Sequence, residues 1–221
     1  MDNKKKFAAI CIGFLILSAS VGTTLAYLGD KDDKTNTIKV GTDIAEVSET
    51  DWSEPEYQTQ ENTNDKTITV KNKGSVPCFV RVYAEFSDSE IADIAKVNNN
   101  DTQPTTYTDW DDFKSAKDIT KNSSITDDWV YIPESGPSGL GGYFYYTKVV
   151  PVGDATTSLI KKVQVNYKTD NIDEIRDYEM IVYTETVQTV DTDGTDYAAQ
   201  GVTDGWKKAW ERFLKKTTPT P

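Results

Sequence analysis

The sequence has no histidine and almost no cysteine, and these gaps limit the chemistry that it can perform. A chain without histidine lacks the commonest general base, the usual transition-metal ligand and the side chain that titrates near neutral pH. Its two cysteines are Cys11, inside an apolar N-terminal run, and Cys78. If that run is removed, Cys78 is left alone and no intramolecular disulfide can form. The remaining chain must then be held by its apolar core and by backbone hydrogen bonds.

A hydrophobic run long enough to span a bilayer is also missing. The apolar run from Phe7 to Ala19 has 13 residues, whereas a spanning helix needs about 20. The run follows three lysines and precedes small residues that end at Ala26, an order typical of a secretory signal peptide. We therefore predict a signal peptide over residues 1–26. An uncleaved N-terminal anchor is the alternative, because the chain stays fairly apolar through residues 21–25.

Positive charge is scarce relative to negative charge. The chain has 24 basic and 36 acidic side chains and a formal net charge of -12. Loss of residues 1–26 removes three lysines and one aspartate, so the remaining chain would carry -14. Nucleic acids and anionic membrane surfaces are poor partners for so acidic a protein. We predict no cofactor or bound metal, and expect membrane contact only through an uncleaved signal peptide.

The sequence favours β-strands over most of its length. Alternation is clearest over residues 76–86, which predicts a half-buried strand with Cys78 as a buried thiol on its core face. The apolar positions of this strand are Val76, Cys78, Val80, Val82, Ala84 and Phe86. An alternating run at residues 67–71 and the turn after it predict that the two runs form a β-hairpin. Further strands are predicted over residues 38–44, 129–132, 143–150, 159–166 and 178–189.

Two regions depart from the strand pattern. Residues 87–128 are polar, with helical turns predicted at 89–97 and 109–117, and we expect an insertion on the rim of the sheets. Residues 201–221 contain apolar side chains at helical spacing, among them Trp206 and Trp210, opposite lysines. They predict a C-terminal amphipathic helix that packs on its own sandwich. Docking of this helix on a partner or a membrane is the alternative.

Four stretches in order give the chain a family resemblance. They are "LAYLGDKDDKTNTIKVG", "ITVKNKGSVPCFVRVYAEF", "WVYIPESGPSGLGGYFYYTKVVPVGDATTSLIKKV", and "MIVYTETVQTVD" followed by "GWKKAWERF". Together they resemble the TasA/camelysin family, proteins of Gram-positive bacteria with SipW-dependent signal peptides. The likeness covers nearly the whole chain except the predicted insertion at 87–128.

The resemblance implies a fold, a processing site and a role. It implies cleavage between Ala26 and Tyr27 by a signal peptidase of the SipW type, and an all-β fold, a jelly-roll β-sandwich with short peripheral helices. It also implies a secreted fibre subunit of the biofilm matrix that self-associates. In such a fibre the N-terminal segment of one subunit completes a sheet of the next. In this sequence the donor strand would carry Ile38, Val40 and Ile44.

The predicted organisation is a signal peptide at 1–26, a donor segment at 27–48, a sandwich at 49–200 and a C-terminal helix and tail at 201–221. The N-terminal strand is alternatively the first strand of its own domain. Another alternative is a monomeric cell-surface binding module that uses the 87–128 insertion. A camelysin-like metalloprotease is the third, but the chain has no His-Glu-x-x-His motif. We therefore predict a protein without enzymatic activity in the extracellular matrix or on the cell surface.

Overall fold

The computed structural model describes residues 31–33, 45–50, 61–100, 102–103, 105–167, 178–191, 193–200 and 204–217. These residues form two antiparallel five-stranded sheets and three α-helices of at most 13 residues. The all-β class predicted from the sequence is confirmed. Sheet A has the strand order β1-β10-β4-β8-β7, and sheet B has the order β2-β3-β9-β5-β6.

The strands and helices have these bounds: β1 Lys31–Asp33, β2 Ala45–Thr50, β3 Glu61–Asn72, β4 Cys78–Phe86, α1 Ser89–Ile94, β5 Ala95–Asn98, β6 Thr108–Asp109, α2 Trp110–Ala116, β7 Trp129–Ile132, β8 Tyr143–Tyr146, β9 Ile160–Asn166, β10 Met180–Gln188 and α3 Gly205–Thr217. A single 3₁₀ turn, Ala198–Gln200, precedes α3.

One apolar core fills the space between the two sheets. Sheet A contributes the even positions of β4, and the buried position predicted for Cys78 is confirmed by its 1% exposure. Sheet B contributes Ile68, Val70 and Val163, which are fully buried. Because a side chain on a strand points to the face opposite its neighbours, this alternation packs one side of each sheet against the other sheet.

The outer side of sheet A carries a second, smaller core under helix α3. Trp206, Ala209 and Trp210 of the helix are buried against the sheet, where Phe79 and Tyr145 belong to the same apolar cluster. The prediction that the amphipathic helix packs on its own sandwich is confirmed. β4 is therefore buried on both faces near its start, whereas its sequence pattern predicted one solvent-facing side.

The predicted hairpin between residues 67–71 and 76–86 is wrong. β3 pairs with β2 and β9 in sheet B, and β4 pairs with β10 and β8 in sheet A, so the turn joins the two sheets. The buried side chain of Asn72 holds this crossing. Its amide donates to the carbonyls of Val76 and Val150, both at 2.9 Å, and its Oδ1 accepts from the Gly74 amide at 2.9 Å. The Asn72 side chain holds the turn by these hydrogen bonds. The two flanking strands therefore do not have to pair with each other.

The predicted rim insertion at 87–128 also needs correction. Helix α1 ends at Ile94, so the helical prediction for 95–97 is wrong, and β5 follows at once and pairs with β9 inside sheet B. Trp110 and Phe113 of α2 lie in the core between the sheets, in contact with Phe144. Much of this segment is therefore part of the sandwich. Its polar composition gave no indication of the short strand β5.

Candidate functional site

The N-terminal segment supplies an edge strand to each of the two sheets. β1 lies outside β10 at one edge of sheet A, and β2 lies outside β3 at one edge of sheet B. β2 is close in space to both β1 and β10, so the two edges lie side by side. We call this pair of edges, β10 with β1 and β3 with β2, the N-terminal edge site. It is where the predicted donor segment meets the body of the protein.

The pairing of β1 with β10 is short. β10 pairs with β4 over nine residues, from Met180 opposite Phe86 to Gln188 opposite Cys78. β1 covers only three residues on the other side of β10, with Lys31 opposite Glu185 and Asp33 opposite Tyr183. Among the described residues, no other strand pairs with that side of β10. Unpaired N–H and C=O groups on a sheet edge are a template for another strand.

The side chains of β10 show what this edge protects. Val182, Thr184 and Thr186 are at most 5% exposed, whereas the alternate residue Ile181 is 37% exposed. A strand that left the edge of β10 would therefore uncover the edge of the inter-sheet core. The exposed Ile181 is also one of the few large apolar side chains on the surface of the described chain.

The pairing of β2 with β3 is longer. Its six-residue register runs from Ala45 opposite Asn72 to Thr50 opposite Thr67. Ile68 and Val70 of β3 are fully buried behind it. β2 crosses the predicted boundary between donor segment and sandwich at residues 48 and 49, so that boundary falls inside a strand.

The opposite edge of sheet A is closed within the described chain. The amide of Tyr131 on β7 donates to the Lys117 carbonyl at 2.7 Å, and the amide of Ile119 donates to the Tyr131 carbonyl at 3.0 Å. These two bonds use the outward backbone groups of Tyr131, so another strand cannot pair with β7 at that residue. The contrast makes the N-terminal edge site the more suitable place for strand addition.

A buried ion pair fixes β10 to the rest of sheet A. Arg81 on β4 is 4% exposed and pairs with Glu185 on β10, its Nε donating at 2.6 Å. Its guanidinium also donates to the Gly139 carbonyl at 2.8 Å and lies over the rings of Tyr143 and Trp210. These partners offset part of the free-energy cost of burying the charge.

The electrostatics around Arg81 favour its charged form. Burial by itself lowers the pKa of Arg81, but its interactions with Tyr145 and Glu185 outweigh burial and raise that pKa above the ordinary value. Burial raises the pKa of the Tyr145 hydroxyl to about 12, so it stays protonated and donates to the Leu140 carbonyl at 2.7 Å. The sequence analysis missed Arg81, because a charged residue at an odd position of the strand predicts solvent exposure. The aromatic residues of the C-terminal helix, which covers Arg81, were the sequence feature that could have indicated its burial.

Two other groups in the described chain that could take part in chemistry are buried or paired. Burial raises the pKa of Cys78 to about 12, and a neutral buried thiol is a poor nucleophile. In the acidic turn before α3, Asp191 accepts from Arg212 at 2.8 Å and so ties the turn to the helix. Among the described residues, no group of three or more Cys, Asp or Glu side chains is placed to hold a metal ion.

Several residues predicted as sites lie outside the described chain. They are Ala26 and Tyr27 of the cleavage site and Ile38, Val40 and Ile44 of the donor strand. No helix within the described ranges is long and apolar enough to cross a membrane. No protein-family model, curated protein or solved structure matches the chain. Within the predicted donor segment at 27–48, the structure describes β1 and the first part of β2. The geometry of the site is based on these two strands.

Proposed function

We propose that this chain is an exported, non-enzymatic structural protein that resembles TasA-type matrix fibre subunits. In this proposal the signal peptide is cleaved between Ala26 and Tyr27, and the freed N-terminal segment of one subunit then completes the sheets of the next. The observation that carries the proposal is the position of the N-terminal segment, which supplies the outermost strand on one edge of each sheet.

The strand order supports a jelly-roll topology. An eight-stranded jelly roll consists of two packed sheets joined by Greek-key connections. In the usual order, one sheet runs first, eighth, third and sixth strand, and the other runs second, seventh, fourth and fifth. If β2 and β7 are additions to this framework, the orders β1-β10-β4-β8 and β3-β9-β5-β6 fit it strand for strand. The first strand of a jelly roll is then an edge strand beside the last.

The geometry of the edge supports exchange between copies. An edge strand that is held by three residue pairs exchanges more readily than a central strand, because few backbone hydrogen bonds must open. β-Strand addition from another chain would restore the same hydrogen bonds in the same register. The enthalpy of the pairing would then be retained. While the signal peptide is attached, membrane tethering keeps the segment in its own subunit.

Electron microscopy of two purified forms tests the proposal. One form begins at Tyr27, and the other carries a folded blocking domain fused before Tyr27. A third form, the control, carries the same domain joined to Tyr27 by a cleavable linker. Protease treatment removes the domain from this form. We expect fibres from the form that begins at Tyr27, none from the blocked form, and fibres from the control after cleavage.

Two results would overturn the proposed mechanism. Fibres from both the blocked and the unblocked forms would mean that assembly does not need a free N-terminal segment. Absence of fibres from the unblocked form, under conditions where circular dichroism and thermal unfolding indicate a folded protein, would favour a monomeric protein whose N-terminal strands belong to its own sandwich.

A further inference from the structure

A polar cleft of about 660 Å³ lies between three loops of the sandwich. It is bounded by the loop after β5, by the residues that lead into β7, and by the loop that leads into β9. Asn99 and Asn100 lie on the first side, Asp127 and Asp128 on the second, and Thr157 and Ser158 on the third. Its volume is in the range of pockets that hold small ligands.

Buried polar groups hold the loops of the cleft in place. Asn98 is 3% exposed, accepts from the Asn100 amide at 2.8 Å, and donates to the carbonyls of Gln103 and Thr106. On the other side, the Trp129 indole donates to the Thr157 carbonyl at 2.9 Å. Loops fixed by such bonds lose little conformational entropy when a ligand binds.

The lining of the cleft combines polar groups of opposite charge. Lys117, a nearly buried cation, lies against Asp127 with 3.0 Å between Nζ and Oδ2. Asp128 accepts from Lys148 at 2.6 Å and from the Thr157 hydroxyl at 3.2 Å. With Lys161 also in the lining, two lysines face two aspartates. The formal charge of the lining residues is therefore zero.

This lining selects one class of ligand by elimination. Aspartates neutralise Lys117 and Lys148, which weakens any attraction of the cleft for phosphorylated or sulphated ligands. Its one aromatic residue, Trp129, is 2% exposed, so the cleft offers no aromatic ring face to a hydrophobic ligand. What the cleft does offer is alternating donors and acceptors on rigid loops: amide, hydroxyl, ammonium and carboxylate groups. A neutral ligand rich in hydroxyl groups can satisfy both kinds of group at once.

We infer that this cleft binds a neutral saccharide, such as a short segment of an uncharged polysaccharide. The lining contains no residue of β1, β2, β3 or β10, but Thr156 in the lining bonds to the backbone of Val70, so the cleft adjoins β3. In an assembled fibre it would place one saccharide site on every subunit.

Saturation-transfer NMR on the full chain, with three neutral probes, tests the inference. The probes are cellotetraose, chitotetraose and maltotetraose, and the comparison ligands are tetragalacturonate and tetraglycine. We expect saturable binding of at least one neutral probe. The Asp127→Ala and Asn99→Ala variants should each weaken it at least about tenfold, equivalent to about 1.4 kcal/mol. Asp112→Ala, an exposed change on α2 outside the cleft, is the matched control and should leave the affinity unchanged.

Each other outcome counts against the inference. Absence of saturable binding for all three neutral probes overturns it. Equal binding by the control and by both cleft variants, with circular dichroism unchanged, places the binding elsewhere on the molecule and also overturns it. Stronger binding of tetraglycine or of tetragalacturonate than of every neutral probe would assign the cleft to peptides or to anionic polymers instead.

Discussion

Helix α3 and strand β1 both close an open surface of sheet A, but they do so by different means. Helix α3 closes the outer face with large side chains: Trp206 and Trp210 are at most 2% exposed and contact the ring of Tyr145. β1 closes an edge by backbone pairing with three residues of β10. Side-chain packing of this size contributes several kcal/mol, whereas each backbone hydrogen bond contributes about 1 kcal/mol net.

Under the proposed function, the difference would separate a permanent contact from an exchangeable one. The aromatic side chains of α3 pack on the outer face of sheet A, and this packing would keep the helix with its own subunit. Backbone hydrogen bonds carry no side-chain specificity, so any strand of matching register can replace β1. A protein that assembles by strand exchange needs both properties, since its body must stay folded while one edge opens.

Replacement of Trp210 by alanine should have the largest effect on stability. Trp210 is fully buried among Tyr145, Phe213 and the guanidinium of Arg81. We expect Trp210→Ala to lower the free energy of unfolding by about 4 kcal/mol, measured by urea unfolding. Trp210→Phe is the matched control and should cost much less, because the indole N–H has no hydrogen-bond partner among the described residues, so its loss leaves none of their groups unsatisfied. Similar losses for both variants would contradict this account of the helix contact.

Removal of one partner of the buried ion pair should have the next largest effect. Glu185→Gln leaves the Arg81 charge without its carboxylate in a buried site, and we expect a loss of roughly 3 kcal/mol in the free energy of unfolding. The double variant Arg81→Met with Glu185→Met should lose less, because no buried charge then remains. Calorimetric and urea unfolding measure both values. A double variant less stable than Glu185→Gln would show that the pair contributes more than it costs.

The sequence predicted those parts of the fold in which local pattern and burial agree. β7 was predicted at its observed bounds, and the core position of Cys78 followed from the alternation along β4. β5 was missed because it follows α1 directly, and its apolar residues Ala95 and Val97 continue the helical spacing that begins at Ile91. The sheet partners of β3 and β4 could not be predicted either. A hairpin turn and a turn that crosses from one sheet to the other use the same polar residues.

The candidate site was predictable only in outline. Edge position depends on which strands pair, and a single sequence does not reveal that pairing. The buried position of Arg81 follows from α3, an element more than 100 residues away in the chain. The polar cleft combines three loops that are distant in sequence. The sequence of each loop by itself predicts only an exposed polar turn.

The protonation of Cys78 should cause a smaller, pH-dependent effect on stability. Burial raises the thiol pKa from 9.0 to about 12 in the folded protein. Below pH 9 the thiol is protonated in both states, so its contribution is fully present; between pH 9 and 12 only the unfolded state loses the proton, so stability falls. We expect Cys78 to account for about 1 kcal/mol of the loss between pH 9 and 10. Cys78→Ala should show a flatter pH dependence of urea unfolding over this interval, and an identical dependence would contradict the prediction.

The smallest opening free energy should belong to β1. Hydrogen exchange measures the opening of each backbone amide, and the amides of β4 in the middle of sheet A should exchange only with global unfolding. The amides of Lys31–Asp33 should exchange at an opening free energy of roughly 1–2 kcal/mol in the monomer. In assembled fibres the same amides should become strongly protected. β1 amides that are protected as strongly as those of β4 in the monomer would contradict an exchangeable edge.

Disulfide trapping between differently substituted subunits tests the central claim most directly. Asp33 lies opposite Tyr183 in the β1–β10 register, a spacing at which paired cysteines can form a disulfide. Protein that begins at Tyr27 is prepared separately as Asp33→Cys and as Tyr183→Cys, and the two forms are mixed before assembly and oxidation. Native Cys78 is buried with a raised pKa and should not react.

Strand exchange predicts fibres in which the Asp33→Cys chains are disulfide-linked to the Tyr183→Cys chains. The doubly substituted chain, oxidised as a monomer, should form an internal disulfide and fail to assemble until it is reduced. Fibres from the mixture without any disulfide between chains, together with fibres from the internally cross-linked chain, would contradict the account, because the N-terminal segment would then remain in its own subunit.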